Sequence, residues 1–230
     1  MSVASTTTAT KPASGADNVR GWSRKEMAKR LADDIPEGWY VNLGIGIPLM
    51  VGDFIPDDRE VVLQSENGIL GMGPLQKWEN LDTWIVNAGK QNVTLRTGAS
   101  IVSHSDSFAM IRGGHLDLCV LGSFEVAANG DFANWTTSLK SVPAVGGAMD
   151  LAVGAKRIWL IMEHTSKDGK PRLLEKCTMP LTAPSVVKRV YTNLAVVDVT
   201  ERGFELVEMN PEITFEALQA RTGAKLHKKA

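Results

Sequence analysis

The chain has 230 residues, 43% of them hydrophobic and 22% charged, which suits one globular domain with a sizeable core and no disulfide support. A formal net charge of −1 and a sequence pI near 6.4 give no electrostatic footprint for nucleic acid or an anionic membrane. No apolar run approaches the ~18–20 residues that a membrane helix requires.

Residues 1–20 are rich in Ser, Thr and Ala, lack an apolar signal core, and hold a single arginine with Asp17 interrupting them. They fit neither a secretory signal nor a good transit peptide and are expected to be a disordered tail. A first helix is predicted from Ser23, where Glu26 completes a capping box and Met27, Ala28, Leu31 and Ala32 follow at helical spacing. Pro36-Glu37-Gly38 ends it. Trp39–Leu43 reads as the first strand and runs into Gly44-Ile45-Gly46-Ile47-Pro48, followed by a short helix over Leu49–Phe54. Val61–Gln64 is the next strand. It delivers Ser65-Glu66-Asn67-Gly68, a turn signal because Asn and Gly tolerate positive φ, and then the Gly-rich apolar loop Ile69–Pro74.

Asn87-Ala88-Gly89-Lys90-Gln91 lies beyond a loop holding Trp78 and Trp84, and a short helix is expected around Ser107–Ile111. Leu116–Leu121 is a strong apolar strand containing Cys119, and Asn129-Gly130-Asp131 marks a turn. Pro143-Ala144-Val145-Gly146-Gly147 enters a helix beginning at Ala148. Arg157–Met162 is apolar throughout, as in a parallel strand covered on both faces. Val196–Thr200 and Phe204–Met209 form a hairpin, and a last helix, about Thr214 to Arg221, stops at Gly223. The chain thus divides into a tail (1–20), one domain (21–223) and a basic C-terminal tail (224–230).

Apolar strands alternating with short helices predict an α/β fold with an open, mainly parallel sheet flanked by helices. Ligands bind such sheets beyond the carboxyl ends of the strands, where the turns at Gly44–Pro48, Glu66–Pro74 and Gly146–Gly147 could converge. The pair Gly44-x-Gly46 lacks the third small residue of a dinucleotide fingerprint, since Leu49 occupies that place, and a tight turn accounts for it. No G-x-S-x-G elbow occurs, and Ser103-His104-Ser105-Asp106 resembles a hydrolase triad only in composition. His104, His115 and His164 read as structural, and no His spacing suits a metal. Cys119 and Cys177 match no pairing or ligand spacing; Cys119, inside an apolar run, is expected to be a buried free thiol, and this cysteine usage suits a reducing, cytoplasmic location.

Two readings fit Glu66: a carboxylate capping its own turn, or a nucleophile. Gly68, Gly71 and Gly73 would let a ligand or backbone approach closely, while Ile69, Leu70, Met72 and Pro74 would exclude water. A desolvated carboxylate is the stronger nucleophile toward an activated acyl group.

The runs Val41–Pro48 and Ser65–Pro74 resemble the B (β) subunit of family I 3-oxoacid CoA-transferases. Asn87–Gln91, Phe108-x-Met110-x-Arg112-Gly113-Gly114-His115 and Val142–Leu151 extend the likeness in order, over about residues 20 to 220. The resemblance implies the CoA-transferase (NagB/RpiA-like) fold and a ping-pong transfer of coenzyme A between two acids. Glu66 matches the catalytic glutamate, Asn42 a residue orienting it, and Gly147 an oxyanion donor. Lys90 matches a lysine of the CoA channel, although a solvated surface lysine is the other reading of that residue. Gly44, Gly46 and Gly146 fall in the CoA-binding turns. No cofactor or metal is implied beyond a coenzyme A thioester as substrate. The partner implied is an A (α) subunit in an α2β2 assembly, for which six tryptophans, Trp22, Trp78 and Trp84 among them, could supply apolar interface. The stretch resembles both 3-oxoadipate and acetoacetate enzymes using succinyl-CoA, with 3-oxoadipate favoured. An acyl-CoA hydrolase on the same scaffold and a non-catalytic interaction subunit are the alternatives.

Overall fold

The structure is a computed structural model and describes residues 20–137 and 145–229. The expected N-terminal tail and the Val142–Ala144 portion of the last motif lie outside the described residues. In chain order the elements are α1 (Arg24–Asp34), β1 (Tyr40–Leu43), a 3-10 turn (Pro48–Phe54), β2 (Val62–Ser65), β3 (Ile69–Leu75), β4 (Val93–Ile101), α2 (His104–Arg112), β5 (Leu118–Leu121), β6 (Glu125–Ala127) and β7 (Phe132–Ala133). They continue with α3 (Ala148–Gly154), β8 (Ile158–Met162), β9 (Leu173–Leu174), β10 (Val187–Thr192), β11 (Ala195–Thr200), β12 (Gly203–Met209), α4 (Phe215–Ala220) and β13 (Leu226–Lys228).

The capping box forms as the Ser23-x-x-Glu26 spacing predicts. Glu26 N–H donates to Ser23 Oγ at 3.3 Å, and Ser23 N–H donates to Glu26 Oε2 at 2.7 Å. Two orphan donors of the helix start are thereby satisfied, so α1 begins sharply and lays Met27, Ala28, Leu31 and Ala32 on the sheet.

Ten strands form one open sheet in the order β13-β12-β11-β10-β8-β5-β1-β2-β3-β4, and β7-β6-β9 form a small second one. The centre, β10-β8-β5-β1-β2, is parallel. Both flanks turn antiparallel, through the β10–β11–β12 meander and the β2–β3–β4 meander, so the sheet as a whole is mixed. Side chains of the central strands alternate between two cores. Leu118 and Val120 of β5 with Trp159 and Ile161 of β8 join α1 on one face. Cys119 and Leu121 with Ile158, Leu160 and Met162 join α2, α3 and α4 on the other. Strands covered on both faces need apolar residues at every position, which is why these runs are continuous.

Four segments depart from the sequence reading. Ile69–Pro74 is not a loop but most of β3, paired with β2 and β4. Its glycines serve close strand approach: a Cβ on Gly71 would lie 3.0 Å from Ala99, and one on Gly73 would collide with Thr94. Residues 224–230 are not simply a basic tail, because Leu226–Lys228 pairs in parallel with β12 and Leu226 is buried. β4 and β10 are strands that the apolar pattern does not disclose, since polar residues and Gly98 interrupt β4 and Lys188-Arg189 interrupt β10.

His164, just past β8, is fully buried and links three elements. Its ring nitrogens meet Thr192 Oγ1 at 2.9 Å and Thr222 Oγ1 at 3.0 Å. Burial, with the Arg221 charge adding to it, lowers its pKa from the usual 6.5 to about 4. The unfolded chain therefore takes up a proton below pH 6.5 that the native fold refuses. The stabilisation is complete above that pH and is lost as pH falls toward 4, on the order of 3 kcal/mol. Denaturant unfolding at pH 7 and pH 4.5 is expected to show His164→Gln with a shallower acid loss than the parent chain. Equal losses would show that this histidine is not responsible.

Candidate active site

The carboxyl ends of β1, β2, β5 and β8 open into one cavity of about 880 Å³. Glu66 lines it, as do Asn42, Gly44, Gly146 and Gly147. Five of the seven residues singled out in the sequence thus share one crevice, and turns after β1 and β2 and before α3 bring them there.

The β2–β3 hairpin positions Glu66. Gly68 N–H closes the turn onto Ser65 C=O at 2.9 Å, and Gly68 adopts φ 119°, a conformation L side chains rarely take. A Cβ at this position would also strike the Val102 carbonyl. The flanking side chains are tied to the Asn87–Gln91 turn: Ala88 N–H donates to Ser65 Oγ at 2.9 Å, and Asn67 Nδ2 donates to Val86 C=O at 2.8 Å. Both neighbours of Glu66 are thus tied to adjacent segments.

The Glu66 side chain is half-buried and, among the described residues, accepts no hydrogen bond. Gly147 abuts it so closely that a Cβ there would overlap Glu66 Oε2 and lie 3.0 Å from Phe108 Cζ. Desolvation by these surfaces raises the Glu66 pKa above its ordinary value; the His104 charge opposes the rise and Asp150 adds to it. Asp150 in turn accepts from Arg112 Nε at 2.8 Å. His104 packs against Phe108 in a tilted arrangement, with ring centroids 4.6 Å apart.

Asn42 does not hold the Glu66 carboxylate. Its Nδ2 donates to Gln64 Oε1 at 2.6 Å and to Gln64 C=O at 3.2 Å, and its Oδ1 accepts from the Cys119 thiol at 3.7 Å. Gln64 Nε2 continues the chain to Ser107 Oγ at 2.7 Å. All four side chains are buried, so this network pins the strand ends beneath the cavity rather than touching the Glu66 carboxylate. Burial, followed by the nearby Glu66 charge, pushes the Cys119 thiol well above the usual range and so disfavours its thiolate form.

Gly46 and Lys90 lie outside the cavity lining. Gly46 faces a second hollow of about 390 Å³ between the 3-10 turn and β3. Lys90 is exposed at φ 62° in a turn closed by its own N–H onto Asn87 C=O, while Ala88, two residues earlier, reaches the cavity. Sequence reasoning missed the opposite wall, formed by Arg24, Glu163, Ser166, Lys167 and Arg172. Its one local signal is Asp168-Gly169, which turns the chain so that Thr165 pairs with Pro171. Among the described residues no cluster of three or more His, Cys, Asp or Glu could hold a metal ion.

The coenzyme A transferase family model matches residues 24–221. The B subunit of the 3-oxoadipate CoA-transferase of Pseudomonas putida is 52% identical over 207 residues, covering 90% of this chain and 97% of that protein. The B subunit of a probable succinyl-CoA:3-ketoacid coenzyme A transferase of Bacillus subtilis is 48% identical, over 88% of this chain and 94% of its own. Among solved structures, the acyl-CoA transferase YdiF of Escherichia coli O157:H7 superposes with a TM-score of 0.71 at 21% identity. The match covers 90% of this chain and 42% of YdiF, and it shows a shared fold.

A methyl group at residue 147 must displace the Glu66 carboxylate or α3. Gly147→Ala is therefore expected to lower turnover of any reaction at Glu66 by at least about 100-fold, since displacements near 1 Å have that effect. Unchanged steady-state rates in a variant of native melting temperature would show that the contact is not needed.

Proposed function

The chain belongs to the coenzyme A transferase family, and from that premise we propose that it is the β half of a 3-oxoacid CoA-transferase with Glu66 as its covalent nucleophile. The observation carrying this reading is a half-buried carboxylate that no described residue hydrogen-bonds, facing a cavity large enough for an acyl thioester. Such a carboxylate is poorly solvated in its charged form and gains from attack on a carbonyl.

The Glu66 carboxylate attacks the thioester carbonyl of succinyl-CoA. The C–S bond breaks, giving an acyl-glutamyl anhydride and CoA thiolate. The thiolate then attacks the glutamyl carbonyl, releasing succinate and leaving a Glu66–CoA thioester. The 3-oxo acid carboxylate attacks that thioester, and the two steps run in reverse to give the new acyl-CoA and free Glu66. Each oxyanion requires a preorganised donor, and the main chain at Gly147, already against Glu66, is the proposed source of one. A carboxylate nucleophile keeps the exchange between like groups, so the thioester's free energy is retained. 3-Oxoadipate is the favoured acceptor, in keeping with the naming of the Pseudomonas putida relative; acetoacetate is the competing one.

The working enzyme is proposed to include an A (α) subunit in an α2β2 assembly, since the relatives are themselves named as one of two kinds of subunit. Of the described tryptophans, Trp78 and Trp84 are 86% and 90% exposed, and Ile45, Ile101 and Val153 are also open. Trp22 and Trp159 are buried in the core instead. Exposed tryptophans and branched aliphatics of this kind are suited to the apolar part of a subunit interface.

Incubating the αβ complex with succinyl-CoA and then borohydride should reduce the thioester and modify Glu66 alone, as read by peptide mass. Glu66→Gln and Glu66→Ala are expected to lose both the modification and at least about 1,000-fold in turnover, the scale set by losing a covalent nucleophile. Labelling at another residue, or full activity in Glu66→Ala, refutes the mechanism. Without the α subunit the chain should show no transfer above background; full-rate transfer by the isolated chain would refute the half-enzyme reading.

A further inference from the structure

Arg172 stands out on the cavity wall opposite Glu66. It is half-buried and lines the same cavity, yet among the described residues its guanidinium meets no carboxylate, carbonyl or aromatic ring. The other arginines in the body of the fold are engaged. Arg24 pairs with Glu163, Arg112 with Asp150, and Arg189 with Asp198 and Asp34. Arg157 stacks over Trp39, and Arg59 and Arg221 donate to main-chain carbonyls. Residues 138–144, which precede the cavity-lining Val145, contain no acidic side chain.

The main chain at Arg172 is fixed. Its N–H donates to His164 C=O at 3.1 Å, its C=O accepts from Val126 N–H at 2.9 Å, and Leu173 beside it is fully buried. Asp168, in the turn that leads to Arg172, is engaged by Lys170 at 3.0 Å and Ser166 at 2.6 Å. Lys167 on the same wall has no ion-pair partner among the described residues. The wall therefore carries Arg24, Lys167 and Arg172 against the single charge of Glu163.

A half-buried guanidinium without a counter-ion loses hydration that the protein does not replace, and its planar fork suits a carboxylate or phosphate. We propose that Arg172, assisted by Lys167, is the receptor for an anionic group at the end of the substrate remote from the carbonyl that Glu66 attacks. The inference rests on the CoA-transferase reading of Glu66 and deepens it by naming a charge-selecting residue. The anion has two sources of one chemistry: the distal carboxylate of a dicarboxylic acyl group, or a phosphate of coenzyme A.

The test uses the αβ complex with succinyl-CoA, acetyl-CoA and the 3′-dephospho forms of both. Binding is measured by calorimetry in the Glu66→Gln background, where no turnover intervenes, and kcat/KM is measured with Glu66 intact. Arg172→Gln is expected to weaken succinyl-CoA on the order of 10- to 100-fold, the worth of a charged hydrogen bond. If the distal carboxylate is the ligand, acetyl-CoA is unaffected. If the 3′-phosphate is the ligand, both thioesters weaken equally and the penalty vanishes with the dephospho forms; an equal penalty on all four probes points to the pyrophosphate. Parent-like affinity of a folded Arg172→Gln complex for all four overturns the proposal.

A measurement on the unmutated complex covers the case in which the variant does not fold. Phenylglyoxal modification of Arg172, followed by peptide mass, is expected to slow at least about fivefold under saturating succinyl-CoA. Unslowed modification in a complex that transfers CoA overturns the anion receptor alone. Slowed modification in a complex that transfers nothing supports the receptor and removes the transferase reading.

Discussion

Much of this fold answers to one steric condition: the Glu66 carboxylate and the main chain at Gly147 occupy adjoining space with no room for a Cβ between them. They belong to segments about eighty residues apart, the β2–β3 hairpin and the start of α3. They meet because β2, β1, β5 and β8 lie side by side in parallel, which puts the end of β2 and the start of α3, in the crossover before β8, at the carboxyl edge of the sheet. The two cores sandwiching those strands hold this order. α2 packs against α3 on one face, and its Phe108 closes the gap beside residue 147.

The same condition explains the glycines better than turn propensity does. Gly68, Gly71 and Gly147 each occupy a place where the chain passes another group at less than the distance a side chain needs: Val102, Ala99 and Glu66 respectively. Glycine costs backbone entropy on folding, and that cost is offset where close approach builds a site. Gly46 and Gly146 differ, with no neighbour within reach of a Cβ, so positive φ alone accounts for them.

The central strands and the helix starts could be read from the chain because their causes are local. Ser23 with Glu26, and the unbroken apolar runs at 118–121 and 158–162, act within a few residues. β4 and β13 escaped because their causes are remote. β4 exposes most of its residues and exists because β3 supplies its partners; β13 exists because the edge of β12 is open beside it. The site divides in the same way. Glu66, Gly147 and Gly44 carried recognisable patterns, whereas the facing wall comes from Arg24 and from residues 163–172, whose Lys, Asp, Gly and Pro read as an ordinary surface turn. Asn42 was legible in position but not in partner. Whether its amide meets Glu66 or Gln64 depends on where side chains of the neighbouring strand point, and no spacing within one segment encodes that.

What distinguishes Glu66 from other buried ionisable groups is the solvation the protein withholds. Glu125 is 7% exposed, deeper than Glu66, but Thr178 N–H, Thr178 Oγ1 and Met179 N–H all donate to it at 2.7 to 3.0 Å, so its charge is fully compensated and it has nothing to gain by reacting. His164 is deeper still and escapes the penalty by staying neutral between two threonines. Glu66 has neither remedy: no described donor meets it, and the groups influencing it, His104 and Asp150, partly oppose one another. A fold able to satisfy Glu125 with three donors could have satisfied Glu66. Beneath it, Asn42, Gln64, Ser107 and Cys119 satisfy one another's polar atoms at the strand ends, and among the described residues no donor turns toward the Glu66 carboxylate.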